Sequence, residues 1–155
     1  MPKQEESTTK VSYKNVGRWQ ELKPPTDWSD ANRVIACGPL YEKEDIQALL
    51  ENGCNGTRLF TAKCIVDTAS DNLSLKDVVE LLTVILKYGK YKNSQWCRQG
   101  EPKDKEAGAP KNIACAACDA YKVSVLVQGE GTKHYYAKFA ISAKNNLLLI
   151  FSCHQ

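Results

Sequence analysis

A chain of 155 residues with 43% hydrophobic and 25% charged side chains has one domain's length and an ordinary globular composition, which excludes wholesale disorder. Its net charge of +3 is too small to imply a nucleic-acid partner by itself. No apolar run approaches the roughly 20 residues that a membrane helix needs, so no membrane partner is expected.

Residues 1–30 read as a polar arm. Lys23-Pro24-Pro25 cannot continue a helix, because proline lacks the amide and restricts its predecessor. Trp19 and Trp28 flank that stop and are expected to dock the arm onto a single α+β domain formed by residues 31–155. The domain starts with a short β-rich piece, 33–37 (RVIAC), punctuated by Gly38-Pro39. A helix is predicted over 42–52, where Glu42, Glu44 and Asp45 complement the positive end of the dipole. Ile46, Leu49 and Leu50 form its apolar stripe, and Gly53 stands where a left-handed cap is wanted. Residues 58–66 (RLFTAKCIV) have strand composition.

A second helix begins at Ser74, whose hydroxyl caps the amide at Asp77. Leu75, Val78, Val79, Leu82, Ile85 and Leu86 recur at helical spacing, and Lys87 with Gly89 closes the helix. Residues 89–112 hold three glycines and two prolines without periodicity, and read as a long basic loop. Six basic and three acidic side chains give that loop +3, the charge of the whole chain, so any preference for an anion should centre there. Tyr121, Val123, Val125 and Val127 then alternate up to the Gln128-Gly129-Glu130-Gly131 turn, and Tyr135, Ala137, Phe139 and Ile141 alternate after it. Asparagines at 145 and 146 turn the chain into 147–153, a nearly continuous apolar strand expected to lie inside its sheet.

Lys90, Tyr91, Lys92, Trp96 and Arg98 mix cations with rings, as sites do that neutralise phosphates and stack on bases. The competing reading is a solvated loop with Tyr91 and Trp96 pinned to the core. Of the two histidines, His134 reads as a solvated loop residue and His154 as the end of a strand that either opens onto a cleft or frays. No complete catalytic set is visible. The seven scattered cysteines suit an oxidising compartment and disulfide staples, with one thiol left over; the alternative is reduced thiols acting as small core hydrophobes. Residues 1–10 carry no signal-peptide core, which taken literally gives a cytoplasmic chain, whereas an initiator Met on a trimmed secreted chain reconciles both facts. Cys115 and Cys118 have the spacing of a redox or zinc pair, but a strand follows where a redox pair wants a helix start. Zinc would further require Cys97 with Cys153 or His154, so separate disulfides are favoured and neither metal nor cofactor is expected.

Two segments carry a family resemblance: 36–48 (ACGPLYEKEDIQA) and 138–154 (KFAISAKNNLLLIFSCH). They resemble the microbial guanyl-specific ribonucleases, and more closely the ribonuclease-like effectors of plant-pathogenic fungi, which keep the scaffold and commonly lose the catalytic residues. The resemblance implies one or two helices packed on a four- to five-stranded antiparallel sheet, with the helix at 74–88 and the basic loop as additions. It places His154 at the catalytic acid and implies a Cys37–Cys153 disulfide. Where the family has its general-base glutamate this chain has Lys122, and where an arginine steadies the cyclising phosphate it has Lys138 or Phe139. A protonated lysine binds phosphate but cannot take the 2′-hydroxyl proton. The expectation is therefore a secreted, catalytically inactive virulence effector, monomeric and acting in the host cytoplasm. It would bind a host protein, such as an immune receptor, or host RNA through Lys90, Tyr91, Lys92, Trp96, Arg98, Lys122 and Lys138. The alternatives are an active endoribonuclease that uses His154 on single-stranded RNA, and a small cysteine-rich zinc-binding or regulatory module.

Overall fold

The computed structural model describes residues 10–11, 25, 27, 29–36, 38–98, 114–142 and 147–155. Trp19, Trp28, Cys37 and the asparagine turn at 145–146 lie outside the described residues, as do 99–113. The elements in chain order are β1 (Lys10–Val11), α1 (Asp30–Arg33), β2 (Val34–Ile35), α2 (Lys43–Glu51), β3 (Thr57–Leu59) and α3 (Ala62–Ser70). After them come α4 (Leu75–Tyr88), β4 (Lys90–Arg98), β5 (Ala114–Val127), β6 (Gly131–Ile141) and β7 (Leu148–His154).

The strands form one sheet in the order β2-β4-β5-β6-β7-β3, with β1 pairing β5 off that path. Strands β4 to β7 are an antiparallel meander, whereas β3 runs parallel to β7 and β1 parallel to β5. The class is α+β as expected, but the sheet is larger than four or five strands and is mixed. Strand β7 lies between β6 and β3, the interior place that its apolar run predicts.

The extra strand β4 comes from the segment read as a loop. A bulge between Tyr91 and Asn93 breaks its period of two, so the inward residues Tyr91, Ser94 and Trp96 do not alternate regularly and the strand pattern is hidden. The segment read as strand 58–66 divides into β3 and α3. Thr61 caps α3 by accepting from the Cys64 amide at 3.0 Å, which outweighs the β-branched Ile65 and Val66; these two remain exposed. Helix α4 carries the predicted Ser74 cap, which the Asp77 carboxylate completes as a capping box by accepting from the Ser74 amide, and it buries Val78, Val79, Leu82, Ile85 and Leu86. Gly53 is left-handed, at φ 62°. Gly89, by contrast, has an ordinary φ of −81°, and a Cβ there would lie 2.7 Å from the Lys122 carbonyl oxygen.

Helix α4 packs on β5 and α2, and α3 packs on β7. Beneath them Tyr121 stacks on Phe139 with ring centroids 5.6 Å apart, and Tyr91 meets Tyr121 edge-on at 5.8 Å. The buried Asp119 ties this core to the start of the domain. Its carboxylate accepts from the Leu40 amide at 2.9 and 3.0 Å, the Tyr41 amide at 3.1 Å and the Ser94 hydroxyl at 2.6 Å. Gly38 is required beside this tie, because a Cβ there would fall 2.0 Å from Ser94 Oγ and 2.2 Å from the Tyr91 hydroxyl.

Cys54, Cys64, Cys97, Cys115, Cys118 and Cys153 are free thiols, all but Cys54 buried. Cys37, the partner that the resemblance implies for Cys153, lies outside the described residues; the Cys153 sulfur lies within electrostatic range of Cys64 and of Asp67 on α3.

Removing the carboxylate in Asp119→Ala orphans the buried Leu40 and Tyr41 amides, at about 1–3 kcal/mol for each buried group left unsatisfied, and leaves the Ser94 hydroxyl with the Tyr91 hydroxyl as its partner. A destabilisation on the order of 3–5 kcal/mol is expected in urea denaturation, and a loss below 1 kcal/mol would mean that the tie is not needed. Burial also raises the Asp119 pKa above 3.8, against the hydrogen bonds from Ser94, Leu40 and Tyr41. Between its unfolded and native values the native state holds the extra proton, so this group's stability contribution falls as pH rises through that interval. Relative to Asp119→Asn, the wild type should lose stability as pH increases above the ordinary carboxylate range.

Candidate nucleic-acid interface

Residues opposite each other across a sheet share a face, and on β5 the odd and even positions divide. Asp119 and Tyr121 face the helices. Ala120, Lys122 and Ser124 face the other way, opposite Lys138, Tyr136 and His134 of β6. The next strand continues the rows, with Ser152 opposite Lys138 and His154 opposite Tyr136. Lys90 stands opposite Lys122 from the β4 side, and Lys92 occupies the bulge.

Strand β4 starts at Lys90 and β7 ends at His154, so the β5–β6 hairpin runs on alone beyond these rows. At the step lies a cavity of ≈ 360 Å³ lined by Lys92, Lys122, His134, Tyr135, Tyr136, His154 and Gln155. A second, of ≈ 480 Å³, shares Lys92, Lys122 and His134 with it and adds Lys90, Tyr88 and Ser124. Neither is lined by an aspartate or glutamate side chain. Among the described residues no carboxylate pairs with Lys90, Lys92 or Lys122. Like charges opposite each other destabilise a strand pair, so the Lys90–Lys122 juxtaposition is a cost to the empty protein that a bound anion relieves.

The two imidazoles present similar atoms to this groove. His134 Nδ1 is 2.8 Å from Ser124 Oγ, and His154 Nδ1 is 2.9 Å from the Gln155 main-chain oxygen. That oxygen only accepts, so in neutral His154 the proton sits on Nδ1 and Nε2 carries the lone pair. The His154 ring also leans on Tyr136, with centroids 5.2 Å apart at 33°. Lys138 lies deeper on the same face: its Nζ donates to Gln95 Oε1 at 2.7 Å and sits 5.8 Å from the Tyr136 ring centroid. Its pKa is raised; burial opposes this, but the facing Cys97, Tyr136 and Cys118 favour the charged form more.

Of the residues read from the sequence, Lys90, Lys92, Lys122 and His154 converge on the groove, with Lys138 adjoining it. Tyr91 and Trp96 do not: Tyr91 packs edge-on against Tyr121 and Trp96 is buried, as the competing reading had them. Arg98 is opposite Cys115, at the far end of β4 from Lys90. His134 is on a strand rather than a loop, and with Tyr88, Ser124 and Tyr136 it joins the site without having been singled out for it by the sequence. A turn centred on Gly129 dictates the pairs Lys122–Tyr136 and Ser124–His134, so three of these four were available from hairpin register.

The zinc set does not assemble. A spacing of three residues on a strand puts Cys115 and Cys118 on opposite faces, and among the described residues no group of three or more His, Cys, Asp or Glu side chains could hold a metal ion. No family model, no curated protein and no solved structure matches this chain.

The hydrogen bond to Gln155 makes a spectroscopic prediction. In ¹⁵N-resolved NMR above the imidazole titration, neutral His154 should appear as the Nδ1–H tautomer; a predominant Nε2–H signal would remove the lone pair assigned to the groove.

Proposed function

We propose that the chain is a non-catalytic RNA-binding protein that holds the phosphates of a single strand in the groove where β4 and β7 end. The observation that carries this reading is the lysine cluster Lys90, Lys92 and Lys122, two of them directly opposite each other, with no aspartate or glutamate among the described residues that line the groove. The exposed Tyr88 and half-buried Tyr136 offer rings for base stacking. Lys122 stands where a base would be wanted, and its ammonium binds a phosphate without removing a proton from it. The resemblance of 36–48 and 138–154 to ribonuclease-like effectors supports placing this activity in a secreted virulence protein that meets host RNA.

A second reading is favoured by one observation: His134 and His154 line the same cavity. Two imidazoles on either side of a phosphate are an acid and a base for cleavage by the neighbouring 2′-hydroxyl.

Anisotropy of a labelled single-stranded RNA across a salt series tests the first reading. Three phosphates neutralised at about −0.7 each predict a log–log salt slope near −2. The Lys90→Ala/Lys122→Ala double variant should lower the slope's magnitude by about 1.4 and weaken binding at every salt concentration. Absence of binding at low salt, or an unchanged slope in the double variant, overturns the proposal. Gels of the same samples should show intact RNA; cleavage that disappears in both His134→Ala and His154→Ala would replace it with the second reading.

A further inference from the structure

The ladder between β4 and β5 ends at the Lys90–Lys122 pair, whereas β5 goes on pairing with β6 as far as Val127. From Val123 to Val127 the β4 side of β5 therefore has no ladder partner among the described residues. An open edge presents unpaired amides and carbonyls, and proteins guard such edges with short strands, charges, proline or bulges. The other edges carry guards. The outer strands β2 and β3 are two and three residues long. On β6 the stretch 131–135, which runs past the last pair with β7 at Tyr136–His154, holds Lys133 and His134. The β5 stretch has none of these devices. It reads Val-Ser-Val-Leu-Val, β-branched and apolar, without charge or proline. Leu126 in it is the most exposed large hydrophobic side chain among the described residues, at 79%, and Val125 and Val127 are half-buried.

We propose that this edge pairs with the same edge of a second copy of the chain, antiparallel about a twofold axis at Val125. A second copy fits because it brings an edge of equal length that is equally free of charge, and one contact then covers both. In this register Val125 faces its own counterpart and Val123 faces the partner's Val127, which are favourable β-branched pairs on the helix side of the sheet. On the other side Ser124 faces the partner's Leu126, and Lys122 faces the partner's Gln128, so no like charges meet. The matching arrangement of 131–135, centred on Lys133, would set that ammonium against itself.

Directly opposite residues of an antiparallel pair point to the same side, so the two sheets join into one with both sets of helices on one side and both grooves on the other. A single strand pair is a small interface, of the class that associates reversibly. The pairing uses backbone groups and apolar side chains, and it does not depend on what the groove binds.

Sedimentation equilibrium of the full-length chain, from micromolar to millimolar concentration and without RNA, tests this. The mass should rise reversibly towards twice that of the chain, and amides within 123–127 should exchange with deuterium severalfold more slowly as it does. Val125→Lys sets two ammonium groups opposite each other and should stay monomeric, with unchanged exchange in α4 showing that the domain is folded. Val125→Cys supplies a second route, since opposite residues have Cα atoms about 4.5–5.5 Å apart, within disulfide reach. The introduced sulfurs should cross-link two copies to each other under mild oxidation. A chain that stays monomeric at every concentration overturns the proposal. So does a dimer that survives Val125→Lys, protects amides outside 123–127 instead, or gives no cross-link through the introduced sulfur.

Discussion

The buried carboxylate of Asp119 joins the start of the domain to strands β4 and β5. It receives amides from Leu40 and Tyr41 and a hydroxyl from Ser94 of β4, and it is itself part of β5. A carboxylate has only acceptors, so these donors satisfy it and it in turn satisfies two amides that no ladder would reach. The Tyr41 hydroxyl completes the tie by donating to the Ala117 carbonyl at 2.7 Å. The segment held in this way leads directly into α2, so the tie fixes where the first long helix enters the core. That position brings Lys43 to 5.9 Å from the centroid of the Tyr121 ring. The need for glycine at 38 follows from the same crowding, since Ser94 and Tyr91 occupy the space a side chain would fill.

With one face of the sheet committed to helices, the other gathers the groups with chemistry. Apolar packing of Tyr121, Phe139 and Ala137 beneath α2 and α4 holds the strand register, and register alone then aligns Lys122, Tyr136 and His154 in a row. Charge repulsion between the lysines is borne by the apolar packing that holds the β4–β5 register on the other face. Lys138 marks a boundary on this face: the groove lies on its Tyr136 side, and its ammonium is engaged by Gln95 rather than by the groove's solvent.

The elements that can be read from the sequence are those in which one physical signal dominates. Helix α4 has a cap and a full apolar stripe, the β5–β6 hairpin has strict alternation around glycines, and β7 has an unbroken apolar run. Where signals compete, the reading fails. In α3, Ile65 and Val66 suggest a strand, but the Thr61 cap and the burial of Cys64 and Thr68 favour a helix. In β4 the bulge at Lys92 and the polar outer face erase the alternation, so the lysines look like loop residues. Yet the cations of the site are legible in that segment as composition, whereas their convergence with His134 and Tyr136 needs strand register. The cysteine spacing at 115 and 118 misleads for a similar reason, because three residues bring thiols together on a helix and separate them on a strand.

Strand β5 serves both halves of the molecule at once. Its odd positions include Cys115, Ala117, Asp119 and Tyr121 beneath the helices, and its even positions include the exposed Lys122 and Ser124 of the opposite face. Losing or gaining a single residue within its paired stretch would exchange the two sets, burying a lysine and exposing the carboxylate tie. The strand is therefore closed to drift in length along 114–122, where β4 pairs with it, while the turn at 128–130 can lengthen without disturbing either face. Descendants of this chain should vary in the reach of the hairpin and hold the length of the strand beneath it.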